Sequence, residues 1–235
     1  MSELKQIAFY VSEKISVDSI KIEEYITTDN MLPNRGGVEE CSSFPKVKKV
    51  TKYNNRDILI SNIRPYFKKI WYSDRIGGCS NDVLVFRIKD EDIWNSKFVY
   101  YVLSQDSFFN HMMAGANGTK MPRGNKKTIP EFIVPNFSIN KQIKIANILS
   151  TYDNLIENNQ KQIKLLEEAA QRLYKEWFVD LRFPGYEDTE IIDGVPEAWK
   201  KERVKNVIGK VIRSKQIKAS EYLKKGLIPI IDQSR

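Results

Sequence analysis

Between Lys141 and Asp180 apolar side chains return at steps that alternate four and three: Ile145, Leu149, Tyr152, Ile156, Ile163, Leu166, Ala170, Leu173 and Trp177, with Asn159 in the one polar place. A mean step of about 3.5 residues keeps a seam turned toward a partner helix in a left-handed coiled coil. From Ile145 to Trp177 such a helix spans about 50 Å at 1.5 Å per residue, more than one side of a small domain requires. The pattern predicts one long helix over 141–180 whose interface is these ten positions. With Leu149, Ile156, Ile163, Ala170 and Trp177 at a, and the other five at d, an antiparallel pair matches a with d′ along the whole seam, 145 facing 177 and 159 facing 163. The seam permits an antiparallel homodimer. A parallel pair would set Asn159 against Asn159′, and Ile148, Leu155 and Ala169 widen the apolar face beyond a two-helix seam.

Upstream the period is shorter. Ile7 to Val11, Tyr25 to Thr28, Val47 to Tyr53, Ile58 to Ile60 and Asp82 to Ile88 read as strands, with turn signals at Asn34-Arg35-Gly36-Gly37, Asn54-Asn55-Arg56-Asp57 and Gly77-Gly78-Cys79-Ser80. The last of these predicts a hairpin with a basic outer face. Pro65 has no donor for a central strand, which places Asn62, Arg64, Tyr66 and Lys68 on a loop or edge. Phe98, Tyr101, Val102, Gln105 and Phe108 fall at helical spacing and predict one amphipathic helix over 98–109. Gly115 to Lys127 is a loop, Ile129 to Pro135 a short strand with a proline near each end. The fold class is α+β, a β-rich mixed or antiparallel domain with a few helices, followed by the long helix. Residues 1–139 form that domain, 140–182 the helix and 183–199 a linker. Residues 200–235 begin a further, incomplete domain, because Lys205-Asn206-Val207 with Val211 repeats Lys5-Gln6-Ile7 with Val11 at an offset of 200.

Composition narrows the function. Hydrophobic residues make up 41% of the 235, so the chain packs a core, and its longest apolar runs, such as Val83-Leu84-Val85-Phe86, are far short of a bilayer span. With no apolar signal core at Met1 to Lys5, the expected location is the cytoplasm. Two cysteines without a Cys-x-x-Cys spacing and a single histidine offer no metal or disulfide framework. The net charge of +8 is unevenly placed: residues 46–75 hold nine Lys/Arg against Asp57 and Asp74, and residues 120–127 hold four with no acid. Interleaved with Tyr53, Tyr66, Phe67, Trp71 and Tyr72, these stretches point to a polyanion-binding surface. Lys68 and Lys69 suit phosphates and Arg64, Asn117, Lys120 and Arg123 are placed to read base edges, with Asn62, Tyr66, Thr119 and Lys126 as further candidate DNA-binding residues.

Catalysis finds no support. The nearest approach to an Asn/Asp-Pro-Pro-aromatic methyltransferase motif, Val134-Pro135-Asn136-Phe137, has a single proline and the wrong order. The only acid-x-Lys triplet of the kind metal-dependent nucleases use is Glu3-Leu4-Lys5.

Three segments carry a family resemblance: Lys141-Gln142-Ile143-Lys144-Ile145-Ala146-Asn147-Ile148-Leu149-Ser150, the run Leu165 to Trp177 with Phe178, and Asp193-Gly194-Val195-Pro196-Glu197-Ala198-Trp199. Together they resemble the specificity subunit of type I restriction-modification enzymes. Asp57-Ile58-Leu59-Ile60-Ser61-Asn62-Ile63-Arg64-Pro65 and Gly118-Thr119-Lys120-Met121-Pro122-Arg123 resemble segments of that family's target recognition domain. The resemblance implies a non-catalytic scaffold in which two recognition domains, each reading half of a split double-stranded DNA target, are held apart by paired helices. Partner methyltransferase subunits, and restriction subunits through them, would supply S-adenosylmethionine, ATP and Mg²⁺ chemistry; no cofactor and no membrane is expected of this chain. It departs from the pattern in having one recognition domain and one helix. The competing reading is a coiled-coil adaptor whose basic face binds RNA or an acidic protein without sequence preference.

Overall fold

Four successive residues, Ile58 to Ser61, are all buried, which a strand achieves only with a layer packed on each face. The computed structural model, which describes residues 1–118 and 120–209, shows both layers. In chain order the elements are β1 (Ser2–Glu3), α1 (Leu4–Ile7), β2 (Ala8–Tyr10), β3 (Lys14–Ser16), β4 (Tyr25–Ile26), β5 (Lys49–Tyr53), β6 (Ile58–Ser61), β7 (Ile70–Tyr72), β8 (Gly77–Cys79) and β9 (Val83–Ile88). They continue with α2 (Ser96–Leu103), α3 (Asp106–Ala114), β10 (Ile133–Val134), α4 (Ile139–Tyr174), β11 (Ile191–Ile192), β12 (Val195–Pro196) and α5 (Val204–Val207). The chain divides into two compact units, Met1–Ile163 and Lys164–Arg235.

In the first unit one sheet runs β2-β9-β6-β7, antiparallel throughout, and a second runs β3-β5-β8-β4, in which β4 and β8 are parallel. Alternation along β6 sends Ile58 and Ile60, with Leu84 and Phe86 of β9, into a core shared with Leu4, Phe98, Val102, Phe108 and Phe109 of the helices. Leu59, Val83 and Val85 point the other way and meet Ile26, Tyr53 and Cys79 of the second sheet. The first sheet is therefore an inner layer, which is why its strands read as unbroken apolar runs. Asp57, buried at the start of β6, accepts two hydrogen bonds from Arg87 of β9, at 2.8 and 2.7 Å, and one from the Asn54 backbone at 2.7 Å.

Several local expectations are corrected. Gly77-Gly78-Cys79 is no turn but the buried strand β8, inserted between β5 and β4. A Cβ on Gly78 would lie 2.4 Å from Val50 Cγ2, and one on Gly77 2.2 Å from the Glu24 carbonyl oxygen, so only glycine lets these strands close up. The hairpin partner of β6 is then β7, and β9 lies along its other edge. The amphipathic helix expected at 98–109 is two helices. Asn95 caps α2 by accepting from the Phe98 amide, the Ser104 hydroxyl donates back to the Tyr100 carbonyl, and Gln105 turns extended before α3 begins. The segment 129–135 is a 3-10 turn, Ile129–Glu131, that leaves only Ile133–Val134 to pair with Ser2–Glu3. A strand unforeseen in the polar stretch, β3, pairs with β5.

The long helix forms as expected, running 36 residues as α4 before a single π-helical turn over Lys175–Val179. Its start is fixed to the first unit by Gln142, which is fully buried. The Gln142 amide donates to the Ile93 and Phe137 carbonyls at 3.0 and 2.8 Å and accepts from the Asn95 amide at 3.0 Å. Ala146 is buried in the helical core, Ile145 packs against it, and the Tyr101 hydroxyl donates to Asp153 at 2.5 Å. Beyond that, Tyr152, Ile156 and Ile163 are exposed.

In the second unit Leu166 and Leu173 are exposed, and Trp177, in the π turn, is half-buried. Glu176 accepts a forked pair of bonds from Arg182 at 2.5 and 2.7 Å, while Trp199 lies 5.6 Å from Phe178 and 5.4 Å from Phe183 between ring centroids. Asp193-Gly194, both at positive φ, close the β11–β12 hairpin, the conformation for which Asp-Gly is suited. The short helix α5 stands 200 residues after α1, and in each the following amide returns to the helix's first carbonyl. The remainder of the proposed repeat, including Val211, lies outside the described residues.

Candidate nucleic-acid interface

Three loops of the first unit meet beyond the ends of β6 and β7. The first, residues 62–69, connects those strands; the second, 115–128, leads out of α3; the third is the turn at 33–37. Main-chain bonds stitch them together. The Arg64 amide donates to the Pro122 carbonyl at 2.8 Å and the Gly124 amide to the Asn62 carbonyl at 3.1 Å. Asn117 and Arg123 exchange both their bonds, at 3.0 and 2.9 Å. The amides of Asn34 and Arg35 donate to the carbonyls of Phe67 and Lys68 at 2.8 and 3.0 Å. Four non-glycine residues here, Asn34, Arg35, Arg64 and Lys68, adopt left-handed backbone conformations with φ of 54°, 64°, 49° and 54°. Such residues persist where their surroundings over-determine them. Arg64 precedes Pro65, which closes the α region to it and starts a 3-10 turn through Phe67. At Gly124 a Cβ would come 2.8 Å from Asn62 Oδ1, so the second loop seats directly on the first.

The side chains sort by exposure. Tyr66 (47% exposed), Asn117, Lys120, Arg123 and Lys126 stand at the surface, as does Met121. Thr119 lies outside the described residues. Asn62 is 5% exposed; its side chain lies beneath the loops, Oδ1 has no partner among the described residues, and its main chain does the stitching. Arg64 is half-buried, with its Nε likewise unpartnered. Lys69 donates to the Thr28 carbonyl at 2.6 Å and lies over the Phe67 ring, whose centroid is 4.7 Å from that of Tyr66 in a tilted contact.

Two acids and one further cation, which the sequence did not single out, complete the surface. Asp106, at the start of α3, is bonded to Arg35 and lies 3.0 Å from Lys68. Arg35 first, then Lys68, hold its carboxyl below the usual aspartate range. Asp82 lies 3.4 Å from Arg123 and gives its backbone carbonyl to the Asn62 amide. The turn signal at 34–37 places Arg35 on a loop, but only the long-range pairing with 67–68 brings it here. The result is a cation-bearing surface with exposed aromatic and amide groups, suited to phosphates and base edges together. No three His, Cys, Asp or Glu side chains gather as a metal site among the described residues, and no described helix is long and apolar enough to cross a membrane.

Comparison with known proteins gives a consistent answer. The family model of the type I restriction modification DNA specificity domain matches residues 8–168. The MjaIX type I restriction enzyme specificity subunit of Methanocaldococcus jannaschii is 29% identical over 140 residues, covering 58% of this chain and 32% of that protein. The MjaVIII specificity subunit of the same organism is 26% identical over 213 residues, 86% of this chain and 46% of the other. The chain thus spans less than half the length of either relative. In fold it resembles the crystal structure of a type I restriction-modification S subunit from M. genitalium, with a TM-score of 0.57 and 21% identity, over 76% of this chain and 45% of that one.

Proposed function

Since the chain belongs to the type I restriction modification DNA specificity family, we propose that it is a sequence-reading subunit of such an enzyme and reads one half of a two-part duplex target. The observation that carries this reading is the stitching of three separate loops into one cation-bearing surface, within the span that the family model matches. In it Lys68, Lys69 and Lys126 serve the phosphates. Arg123, Asn117, Lys120, Thr119 and Arg64 serve base edges, with Tyr66 beside them, and Asn62 holds the loops from below. Residues 1–139 are the recognition domain, 140–182 a spacer helix, 183–199 a linker and 200–235 the beginning of a further domain.

Methylation and cleavage fall to partner subunits, which bring S-adenosylmethionine, ATP and Mg²⁺. The helix scaffolds the methyltransferase subunits and, through them, the restriction subunits. The exposed seam residues Leu149, Tyr152, Ile156, Ile163, Leu166 and Leu173, with Ile145, Asn159, Ala170 and Trp177, pair with those of a second copy, antiparallel, so that two recognition domains stand a fixed distance apart.

A selection from random duplexes at moderate salt, where phosphate-only binding fades, tests the recognition reading. One enriched half-motif is expected. No enrichment, with the methyltransferase subunit present, would defeat it in favour of a non-specific polyanion binder. Cysteines placed at 145 and 177 test the pairing: a 145–177′ cross-link is expected, and a 145–145′ link excludes the antiparallel arrangement.

A further inference from the structure

We propose that Asp82 is a positioning residue that commits Arg123 to a base edge instead of a phosphate. The proposal rests on the DNA-recognition reading above and assigns a division of labour within it. Arg123 has its main chain fixed on both sides, by the paired bonds with Asn117 and the bridge to Ile63. Its side chain remains 55% exposed, and Nη2 lies 3.4 Å from Asp82 Oδ1. Asp82 is 38% exposed and stands on the same framework, because its carbonyl accepts the Asn62 amide at 2.8 Å. Apart from Arg123, its carboxylate makes no hydrogen bond or ion pair among the described residues.

The chemistry of the pair decides what Arg123 does beside a duplex. An unpaired cation near DNA is drawn to the nearest phosphate, and each such contact releases counterions, so that binding gains in salt dependence without gaining in sequence preference. A carboxylate at 3.4 Å, paired with this one cation, offsets part of that attraction, whereas Asp106 is shared by Arg35 and Lys68 and leaves that group net positive. The Asp82 carboxylate leaves the donor fork largely free, since a guanidinium carries five N–H donors and the contact occupies one edge. The separation exceeds a charge-assisted hydrogen bond, so the acid steers the guanidinium without locking it. What remains attractive to such a group is a pair of acceptors in fixed geometry, which is what guanine O6 and N7 present in the major groove. Lys126, exposed on the same loop, has no carboxylate within ion-pair distance among the described residues and keeps its full pull on phosphates.

The test compares the full chain with its D82N and R123K variants. Each is put through selection from a random duplex pool, then titrated with an unrelated duplex across a range of salt. R123K keeps the charge and loses the fork: the salt slope stays as in the wild type, and preference for guanine at one motif position falls about tenfold or more. D82N loses preference at that same position, while its affinity for the unrelated duplex rises and its salt slope steepens by about one counterion. A merely structural Asp82 would weaken binding to every duplex alike and steepen nothing, so that result, or a D82N chain that does not fold, overturns the proposal. An unchanged motif in either variant also overturns it, with the recognition reading left standing. A wild-type chain that enriches no motif overturns both.

Discussion

Replacing Gln142 with leucine keeps most of the side-chain volume and removes the three side-chain hydrogen bonds that tie the start of α4 to the segment 93–95 and to Phe137. Three hydrogen bonds are lost, to the Ile93 and Phe137 carbonyls and from the Asn95 amide. At about 1 kcal/mol net for each bond, the loss is about 3 kcal/mol, nearer the lower bound for stranded groups because Ile93 is exposed and water can reach its backbone. For a unit of this size a loss of 1 kcal/mol lowers the melting temperature by about 2–4 °C, so Q142L is expected to melt about 6–12 °C below the wild type. Hydrogen exchange locates the effect: amides over 93–98 and 137–146 should exchange about a hundredfold faster, because about 1.4 kcal/mol corresponds to a factor of ten. Q142E adds a signed control. Its carboxylate would face two carbonyl oxygens, which raises its pKa above that of an unfolded-state glutamate. The variant should therefore regain stability below about pH 4.3 and lose it as pH climbs through the raised value. A Q142L chain that melts within about 2 °C of the wild type, with unchanged protection in both segments, refutes the view that this one amide fastens the helix to the domain.

Gly78→Ala drives a methyl group to 2.4 Å from Val50 Cγ2; a loss of about 1–3 kcal/mol, read by chemical denaturation, is expected, and an unchanged midpoint would show that β5 and β8 can separate freely. Asp106 titrates below its ordinary value because of Arg35 and Lys68, so its contribution is present above the unfolded aspartate pKa of about 3.9 and disappears as pH falls through the folded value. D106N should therefore flatten the acid limb of a stability–pH curve without altering stability near pH 1, and an identical limb would count against the ion pairs. Aspartate at both Ile156 and Ile163, which are exposed on α4, should abolish concentration-dependent association in sedimentation while leaving the melting of the recognition domain unchanged.

The long helix was legible because its signal is local: nine apolar positions in register are visible without knowing what they touch. The inner strands β6 and β9 were legible too, as short apolar runs between turn residues. Gly77-Gly78 misled because the same residue type serves a turn, through its backbone freedom, and a crowded strand, through its missing side chain, and only the neighbours Val50 and Glu24 tell which. The split between α2 and α3 depends on the Ser104 hydroxyl turning back to the Tyr100 carbonyl and on an extended Gln105, while the apolar spacing runs on across the break. At the candidate site, exposure followed composition for Asn117, Lys120, Arg123 and Lys126. It failed for Asn62, which is polar yet buried. Arg35 and Asp106 were out of reach, since their partners lie some seventy residues apart in the chain.

The pairing of Ser2–Glu3 with Ile133–Val134, sealed by the Leu4 amide on the Phe132 carbonyl at 2.8 Å, sets the incoming and outgoing strands of the loop-bearing body side by side. Everything between them is a topological insert with a two-strand neck. A different insert of the same neck geometry could replace residues 5–131 only if it also offered Gln142 the carbonyl and the amide that Ile93 and Asn95 present to it. On such a neck the loop surface can differ while the few groups that meet the helix are kept.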